Sequence, residues 1–278
     1  MRTSKGSGSA LKIAKDIKEL VRSEGGELQP RKDQLLRELG VEHPAKVSSS
    51  LDTMVRAYFF FKRIGVRDMR KVMRLSSLLG HSTESMQEHV DFLREIGVAN
   101  IGKVVEKLPA VLEYDIESMR AHVAFLREIG VVDIGRVVER VPSVLGSSIE
   151  SMRAHVDFLR EEGMHDIGRV VERHPSLLEY SIESMWRKIE YFIGNAHLTI
   201  EDLESTPSLI SLSMHRITAR WEYFRKEAPA HYEEFERGRL FFMTDPNYIK
   251  LVKRFSAEAN QDDYASFALS LTQEAIAA

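Results

Sequence analysis

Residues 97–129 read GVANIGKVVEKLPAVLEYDIESMRAHVAFLREI, and residues 130–162 read GVVDIGRVVERVPSVLGSSIESMRAHVDFLREE. The two stretches are identical at 22 of 33 positions. A fixed period of this length is typical of proteins that stack many copies of one supersecondary unit. The sequence therefore predicts a solenoid, in which each unit contacts its neighbours and no single large core is needed.

Each copy predicts the same local structure. In the second copy Ile134, Val137 and Val138 follow helical spacing. Pro142 ends this short helix, because the residue before a proline avoids the helical region of backbone space. A tight apolar turn and a long amphipathic helix follow, and Gly163 stands where a helix C′ glycine belongs. The predicted fold class is all-α, with units of short helix, 3₁₀-like proline turn, long helix and glycine.

The pattern continues beyond these two copies and decays at both ends, as capping repeats should. Near the start, residues 11–21 predict the first helix of the folded body rather than a targeting peptide, because Asp16 and Glu19 interrupt the basic face. We predict three segments: a basic N-terminal helical segment or cap at 1–49, a repeat array at 50–225 and a C-terminal helical cap at 226–278.

Charge is distributed unevenly along the chain, although the net charge of the whole is −3. Residues 1–75 carry 17 basic and 9 acidic side chains, a net of +8, whereas residues 76–195 carry 13 and 20, a net of −7. Such an asymmetry bears on the choice of partner. A polyanion suits the basic first quarter, and a basic protein would suit the acidic middle.

Several classes of function are excluded or disfavoured. The chain has no cysteine, which excludes disulfides, thiolate metal sites and cysteine catalysis. No run approaches the ~18 apolar residues of a membrane span. The sequence contains no His-Glu-x-x-His motif, glycine-rich phosphate loop or Gly-x-Ser-x-Gly motif. His122 and His155 recur beside apolar residues and are predicted to pack between helices rather than to bind a metal. We expect neither an enzyme nor a cofactor.

The repeat resembles that of the mitochondrial transcription termination factor (mTERF) family. That repeat has a leading Gly-Val, a short apolar helix, an x-Pro-x-Leu-Leu turn and a long helix ending in Phe-Leu-x-x-Gly. The matching elements are Gly130-Val131, Val137-Val138-Glu139-Arg140, Pro142-Ser143-Val144-Leu145, Phe158-Leu159 before Gly163, and Pro175-Ser176-Leu177-Leu178 in the next copy. The segment Leu240-Phe241-Phe242-Met243-Thr244, with Tyr248-Ile249 and Val252, is similar to the family's closing segment. The resemblance covers residues 50–255.

This resemblance implies a curved superhelical solenoid of helix–helix–3₁₀ repeats, about 33 residues each, whose concave face binds double-stranded nucleic acid. It also implies a location in mitochondria or chloroplasts. Family members regulate organelle transcription, translation or RNA processing, and the resemblance does not select among these roles.

Cations recur in register along the predicted repeats, and binding to a phosphate backbone requires an ordered row of cations. The short helices carry a first ladder of Lys103, Arg136 and Arg169 and a second ladder of Lys107, Arg140 and Arg173. The long helices carry a third ladder of Arg94, Arg127 and Arg160, and a fourth of Arg120 and Arg153. Upstream lies a basic cluster of Arg56, Lys62, Arg63, Arg67, Arg70, Lys71 and Arg74. The candidate nucleic-acid-binding residues are the first two ladders and Arg63, Arg67, Arg70, Lys71 and Arg74.

The same pattern also fits a solvated repeat surface. Glu106, Glu139 and Glu172 stand beside the second ladder, and ion pairs three or four residues apart would neutralise it. Two hypotheses for the function therefore stay open. The first is a monomeric protein that binds double-stranded DNA, or less favourably RNA, and regulates organelle gene expression. The second is a helical-repeat scaffold whose concave face binds a protein partner.

Overall fold

The structure is a computed structural model that describes residues 51–73, 81–229, 240–256 and 258–277, together with positions 37 and 78. Its regular elements are α-helices and 3₁₀ turns, and the described residues contain no strand. The all-α prediction is confirmed. The helix predicted at 11–21, nearly all of the predicted N-terminal segment and the candidate Arg74 lie outside the described residues.

Short and long helices alternate along the chain. In order, the helices are α1 Leu51–Arg63, α2 Met69–Met73, α3 Thr83–Glu95, α4 Ile101–Lys107, α5 Ile116–Glu128, α6 Ile134–Arg140, α7 Ile149–Glu161, α8 Ile167–Arg173, α9 Ile182–Gly194, α10 Ile200–Ser205, α11 Met214–Glu227, α12 Asp245–Val252 and α13 Gln261–Ala277. The proline turns are 3₁₀ helices at Pro109–Leu112, Pro142–Leu145, Pro175–Leu178 and Pro207–Ser211. The predicted unit of short helix, proline turn and long helix is confirmed.

The chain divides into two compact units, one of residues 1–128 with 132–148 and the other of residues 129–131 with 149–278. In the first unit the short helices α2, α4 and α6 pack in succession, and α3 and α5 each contact the proline turn that follows in the chain. In the second unit α7 and α9 contact their following proline turns in the same way, and α13 packs on α11 and α12. Each unit therefore buries apolar surface between neighbouring repeats.

The boundaries of the short helices follow from local chemistry. Asn100, Asp133 and Asp166 cap the N-termini of α4, α6 and α8, each accepting a hydrogen bond from the backbone N–H three residues on. A proline two residues after each helix opens the 3₁₀ turn. The long helices bury one apolar stripe apiece, which in α5 consists of Met119, His122, Val123, Phe125 and Leu126.

Glycines act in two ways in this repeat. Gly97, Gly130 and Gly163 have φ near +90° after the long helices, as the C′ prediction requires. Gly135, the second residue of α6, serves a different purpose, because a Cβ there would overlap the carbonyl group of Gly97. Gly102 faces Gly65 in the same way. Backbone therefore touches backbone between neighbouring repeats, and no side chain fits there.

Candidate nucleic-acid interface

The first ladder consists of exposed cations at the third position of the short helices. The cap of each helix fixes that residue's backbone: Asn100 Oδ1 accepts from Lys103 N at 3.2 Å, and Asp133 Oδ1 accepts from Arg136 N at 2.9 Å. Arg169 N donates to Asp166 in the same way. The side chains of these three cations make no hydrogen bond or ion pair with any other residue that the structure describes. Their charges are therefore available to an external anion.

The row extends upstream within the first unit. Lys71 on α2 stands at the position that Lys103 occupies on α4, and α2 packs against α4 as α4 packs against α6. Lys71 is exposed and, within the described chain, its side chain has no partner either. We call Lys71, Lys103 and Arg136 the short-helix row. Because three neighbouring helices repeat one register, the row presents its charges on one side of the first unit.

The second ladder is used differently, because two of its cations, Lys107 and Arg173, bind backbone carbonyl groups of the following short helix. Lys107 Nζ donates to Glu139 O at 2.7 Å and to Arg140 O at 3.0 Å, at the C-terminal end of α6. In the second unit an Arg173 guanidinium nitrogen donates to Ser205 O, at the end of α10. Cations are favoured there by the negative end of the helix dipole. Partial burial lowers the pKa of the Lys107 ammonium group, and the nearby Lys103 lowers it further. Arg140 is exposed.

The glutamates beside the second ladder bind backbone amides of the preceding repeat. Glu139 Oε1 accepts from Ala99 N at 2.8 Å and from Asn100 N at 2.7 Å. Glu106 Oε1 accepts from the amides of Arg67 and Asp68. The sequence suggested that such glutamates could neutralise the ladder through pairs within their own helix. These two carboxylates are instead held at the N-terminal ends of α4 and α2, where the helix dipole favours an anion.

Three cations of the long helices have carboxylate partners. Arg94 pairs with Asp91 at 2.8 Å, and Arg160 pairs with Asp157 at 3.5 Å. Arg120 pairs with Glu95 at 3.1 Å, and this hydrogen bond raises the pKa of its guanidinium group. These pairs match the solvated-surface alternative and separate the three arginines from the first ladder. Arg127 on α5 is exposed and, among the described residues, its side chain has no partner.

The basic cluster is divided as well. Arg63 donates to Gln87 Oε1 at 2.9 Å and lies over the Phe60 ring. Arg67 and Arg70 are exposed, and their guanidinium groups have no partner within the described part of the chain. Together with the short-helix row, these two arginines concentrate unpaired positive charge at α2 in the first unit.

The recurring histidines are buried, as predicted. Both ring nitrogens of His122 lie 2.6 Å from carbonyl oxygens, Nδ1 from Ser118 O and Nε2 from Ser147 O. His155 repeats the arrangement with Ser151 and Tyr180. These rings tie a long helix to the turn that follows it, and among the described residues no group of three or more His, Asp or Glu side chains could hold a metal ion.

The regular repeat geometry has a counterpart in a known family. The family model for mTERF matches residues 98–234. Over these residues the chain is similar to the mTERF family. The mTERF match contains the first two ladders in full, whereas Lys71 and the basic cluster precede it. No curated protein matches the chain. Among the described residues, no helix combines the length and apolar character needed to cross a membrane.

Sequence reasoning did not find two features of this interface. One is the capping role of Asn100, Asp133 and Asp166, although an Asn or Asp just before an apolar helix is a recognisable signal. The other is the clamp made by the glutamates, whose targets lie about 40 residues earlier in the chain. No local pattern predicts a contact over that separation, because it depends on how the repeats stack.

Proposed function

We propose that the chain is a non-enzymatic nucleic-acid-binding repeat protein that holds the phosphate backbone of a duplex and regulates gene expression in a mitochondrion or chloroplast. One observation carries this proposal. The short-helix row is exposed and has no partner among the described residues, while the neighbouring carboxylates of Glu106 and Glu139 are bound to backbone amides. A polyanion would therefore meet positive charge that is not already neutralised.

The spacing of the row suits a phosphate backbone. Axes of packed helices lie about 8–10 Å apart, so successive members of the row recur at roughly that distance. Lysine and arginine side chains are long enough to adjust to phosphates along one strand, and arginine can bind them with two parallel hydrogen bonds. Contacts to phosphate position a protein on a duplex and carry no base sequence. Both DNA and RNA offer phosphates, so the spacing alone does not choose between them. We propose DNA ahead of RNA on the family resemblance.

Salt dependence tests the proposal. Fluorescence anisotropy of labelled DNA and RNA duplexes of the same sequence would be measured between about 50 and 300 mM salt. The proposal predicts binding that weakens linearly in the logarithm of the salt concentration, with a slope of about −0.9 for each DNA phosphate contacted. Tighter binding to the RNA duplex would overturn the preference for DNA. No binding to either duplex at the lowest salt concentration would overturn the proposed function.

A scaffold function is the second candidate, and a different surface supports it. Trp186 and Ile193 on α9 are 45% and 40% exposed and stand seven residues apart, on one side of the helix. Trp186 occupies the position of Arg120 and Arg153 in the preceding copies. An exposed tryptophan is a common anchor in protein–protein interfaces. If this surface has that role, replacing Trp186 with alanine leaves duplex affinity unchanged and weakens binding of the protein partner.

A further inference from the structure

We propose that Glu106, Glu139 and Glu204 are positioning residues, each of which orients the phosphate-binding cation of the preceding short helix. The inference rests on the proposed function and extends it to residues that touch no nucleic acid. Each of these glutamates lies three residues before a proline turn, on the helix that follows the one it stabilises. They act through backbone amides.

The contacts of Glu139 show how this works. Its Oε1 accepts the amides of Ala99 and Asn100, the two residues just before α4. Asn100 then accepts the amide of Lys103 through its side chain. A continuous series of hydrogen bonds thus joins the carboxylate on α6 to the backbone of the row cation on α4. In the opposite direction, Lys107 of α4 binds the last carbonyls of α6.

This arrangement also keeps the Glu139 carboxylate from competing with phosphate for the cations of the short-helix row. The Glu139 side chain is half-buried, and its Oε1 is engaged by two amides at a helix N-terminus. In the structure this carboxylate makes no ion pair with Arg136 on its own helix. The same residue therefore orients one row cation and leaves another unpaired.

The last short helix, α10, shows that this glutamate contact does not merely accompany a cation on the same helix as each repeat is copied. Helix α10 is one residue shorter than α8 and contains no lysine or arginine: its third residue is Asp202, where α8 has Arg169, and its last is Ser205, where α8 has Arg173. It therefore has no row cation of its own. Glu204 nevertheless accepts the amides of His165 and Asp166, just before α8, which carries Arg169. The glutamate is present where the preceding helix has a first-ladder cation, even though its own helix has none.

A double-mutant cycle tests the inference. Affinity for a labelled DNA duplex would be measured for the full chain, Glu139→Ala, Glu139→Gln, Lys103→Ala and the double variant Glu139→Ala with Lys103→Ala, below the temperature at which any of them unfolds. We expect Glu139→Ala to weaken binding about three- to tenfold and to make the salt slope less negative by about 0.9, as for the loss of one phosphate contact. Glutamine keeps the accepting oxygen, so Glu139→Gln should bind at least as tightly as the parent.

The cycle distinguishes positioning from a general loss of stability. If Glu139 acts through Lys103, adding Glu139→Ala to Lys103→Ala weakens binding no further. Glu88 on α3 is an exposed glutamate of the same unit whose side chain, within the described residues, has no partner. Glu88→Ala and Glu88→Gln are thus matched controls that should leave affinity within about twofold of the parent or slightly tighter.

Two results would overturn the inference. Additive effects of the Glu139 and Lys103 substitutions would exclude action through Lys103, and weak binding by Glu139→Gln would show that the charge itself is required. A parent chain that binds no duplex would instead overturn the proposed function, and the positioning role with it. Amide hydrogen exchange without nucleic acid provides a second measurement: the amides of residues 99–103 should exchange faster in Glu139→Ala and remain protected in Glu139→Gln.

Discussion

The first-ladder cations of α4 and α6 and the buried arginine of α11 beside the closing segment play opposite roles. Between the repeats, Lys103 and Arg136 stay exposed and backbone touches backbone at Gly97 and Gly135. At the closing segment, Arg220 is 1% exposed, and its guanidinium donates to Leu240 O and Phe241 O at 3.0 Å each and to Asp245 at 2.5 Å. Lys103 and Arg136 therefore remain open to solvent, whereas Arg220 holds α11 to the closing segment.

The difference teaches that the residue type alone does not decide a cation's role. Two carbonyl oxygens accept from Arg220 Nη1, and Tyr248 Oη donates in turn to Arg220 O. Burial raises the pKa of the Tyr248 phenol well above its ordinary value, so this hydroxyl remains a donor. Lys103 has no such partners among the described residues, because Glu139 and Asn100 are occupied with backbone amides. Available partners, rather than sequence spacing, separate structural from binding cations.

The largest loss of stability is expected for Arg220→Met, which keeps much of the side-chain volume and removes every hydrogen bond of the guanidinium group. Two buried carbonyl groups lose their charged donor, at a cost of about 3 kcal/mol in the free energy of unfolding. Urea denaturation would measure it. Arg225→Met is the matched control on the same helix, since Arg225 is exposed and, within the described chain, its ion pair is with Glu222; its cost should be below about 1 kcal/mol. Equal costs for the two variants would remove the contrast between the regions.

A smaller loss of stability is expected when the backbone contact between neighbouring repeats is disrupted. Gly135→Ala places a Cβ against the carbonyl of Gly97, and the backbones must separate, at a cost of about 2 kcal/mol. Gly194→Ala is the control, because Gly194 lies within α9 with open space around its Cα. Alanine there should leave stability unchanged or raise it by up to about 1 kcal/mol. If both substitutions are tolerated equally in thermal unfolding, backbone contact does not set the repeat spacing.

The smallest effect is expected for Arg94→Ala, which removes an exposed ion pair three residues apart on α3. Such pairs contribute little, so the free energy of unfolding should change by less than about 0.5 kcal/mol. Duplex affinity should also stay within about twofold of the parent, because Asp91 already neutralises this arginine. A large loss of affinity would place Arg94 in the duplex-binding surface. The binding surface would then not be confined to the short helices.

Much of the fold follows from the sequence because its signals are local. Pro109 and Pro142 end short helices, and the glycines after the long helices have the positive φ that their position predicts. The repeat also predicted which cations are equivalent. The closing segment was different, since nothing near Arg220 in the sequence indicates that its partners are the carbonyls of residues 240 and 241.

The candidate site was only partly predictable for the same reason. The sequence placed Lys103, Lys107, Arg136 and Arg140 on the short helices and could not separate the two ladders. The separation depends on contacts with the neighbouring repeat: Lys107 reaches the carbonyls of α6, and Glu139 reaches the amides before α4. Whether these cations bind nucleic acid stays a prediction.

One comparison tests the central claim most directly. Lys103→Glu with Arg136→Glu reverses two cations of the short-helix row, and Arg94→Glu with Arg120→Glu reverses two ion-paired cations of long helices in the same unit. Both variants change the net charge equally, so duplex affinity at one salt concentration reports location alone. We predict that the first variant loses at least about tenfold in affinity, with a salt slope less negative by about 1.8, while the second loses several-fold less. Equal losses, or a greater loss for the long-helix variant, would contradict the account.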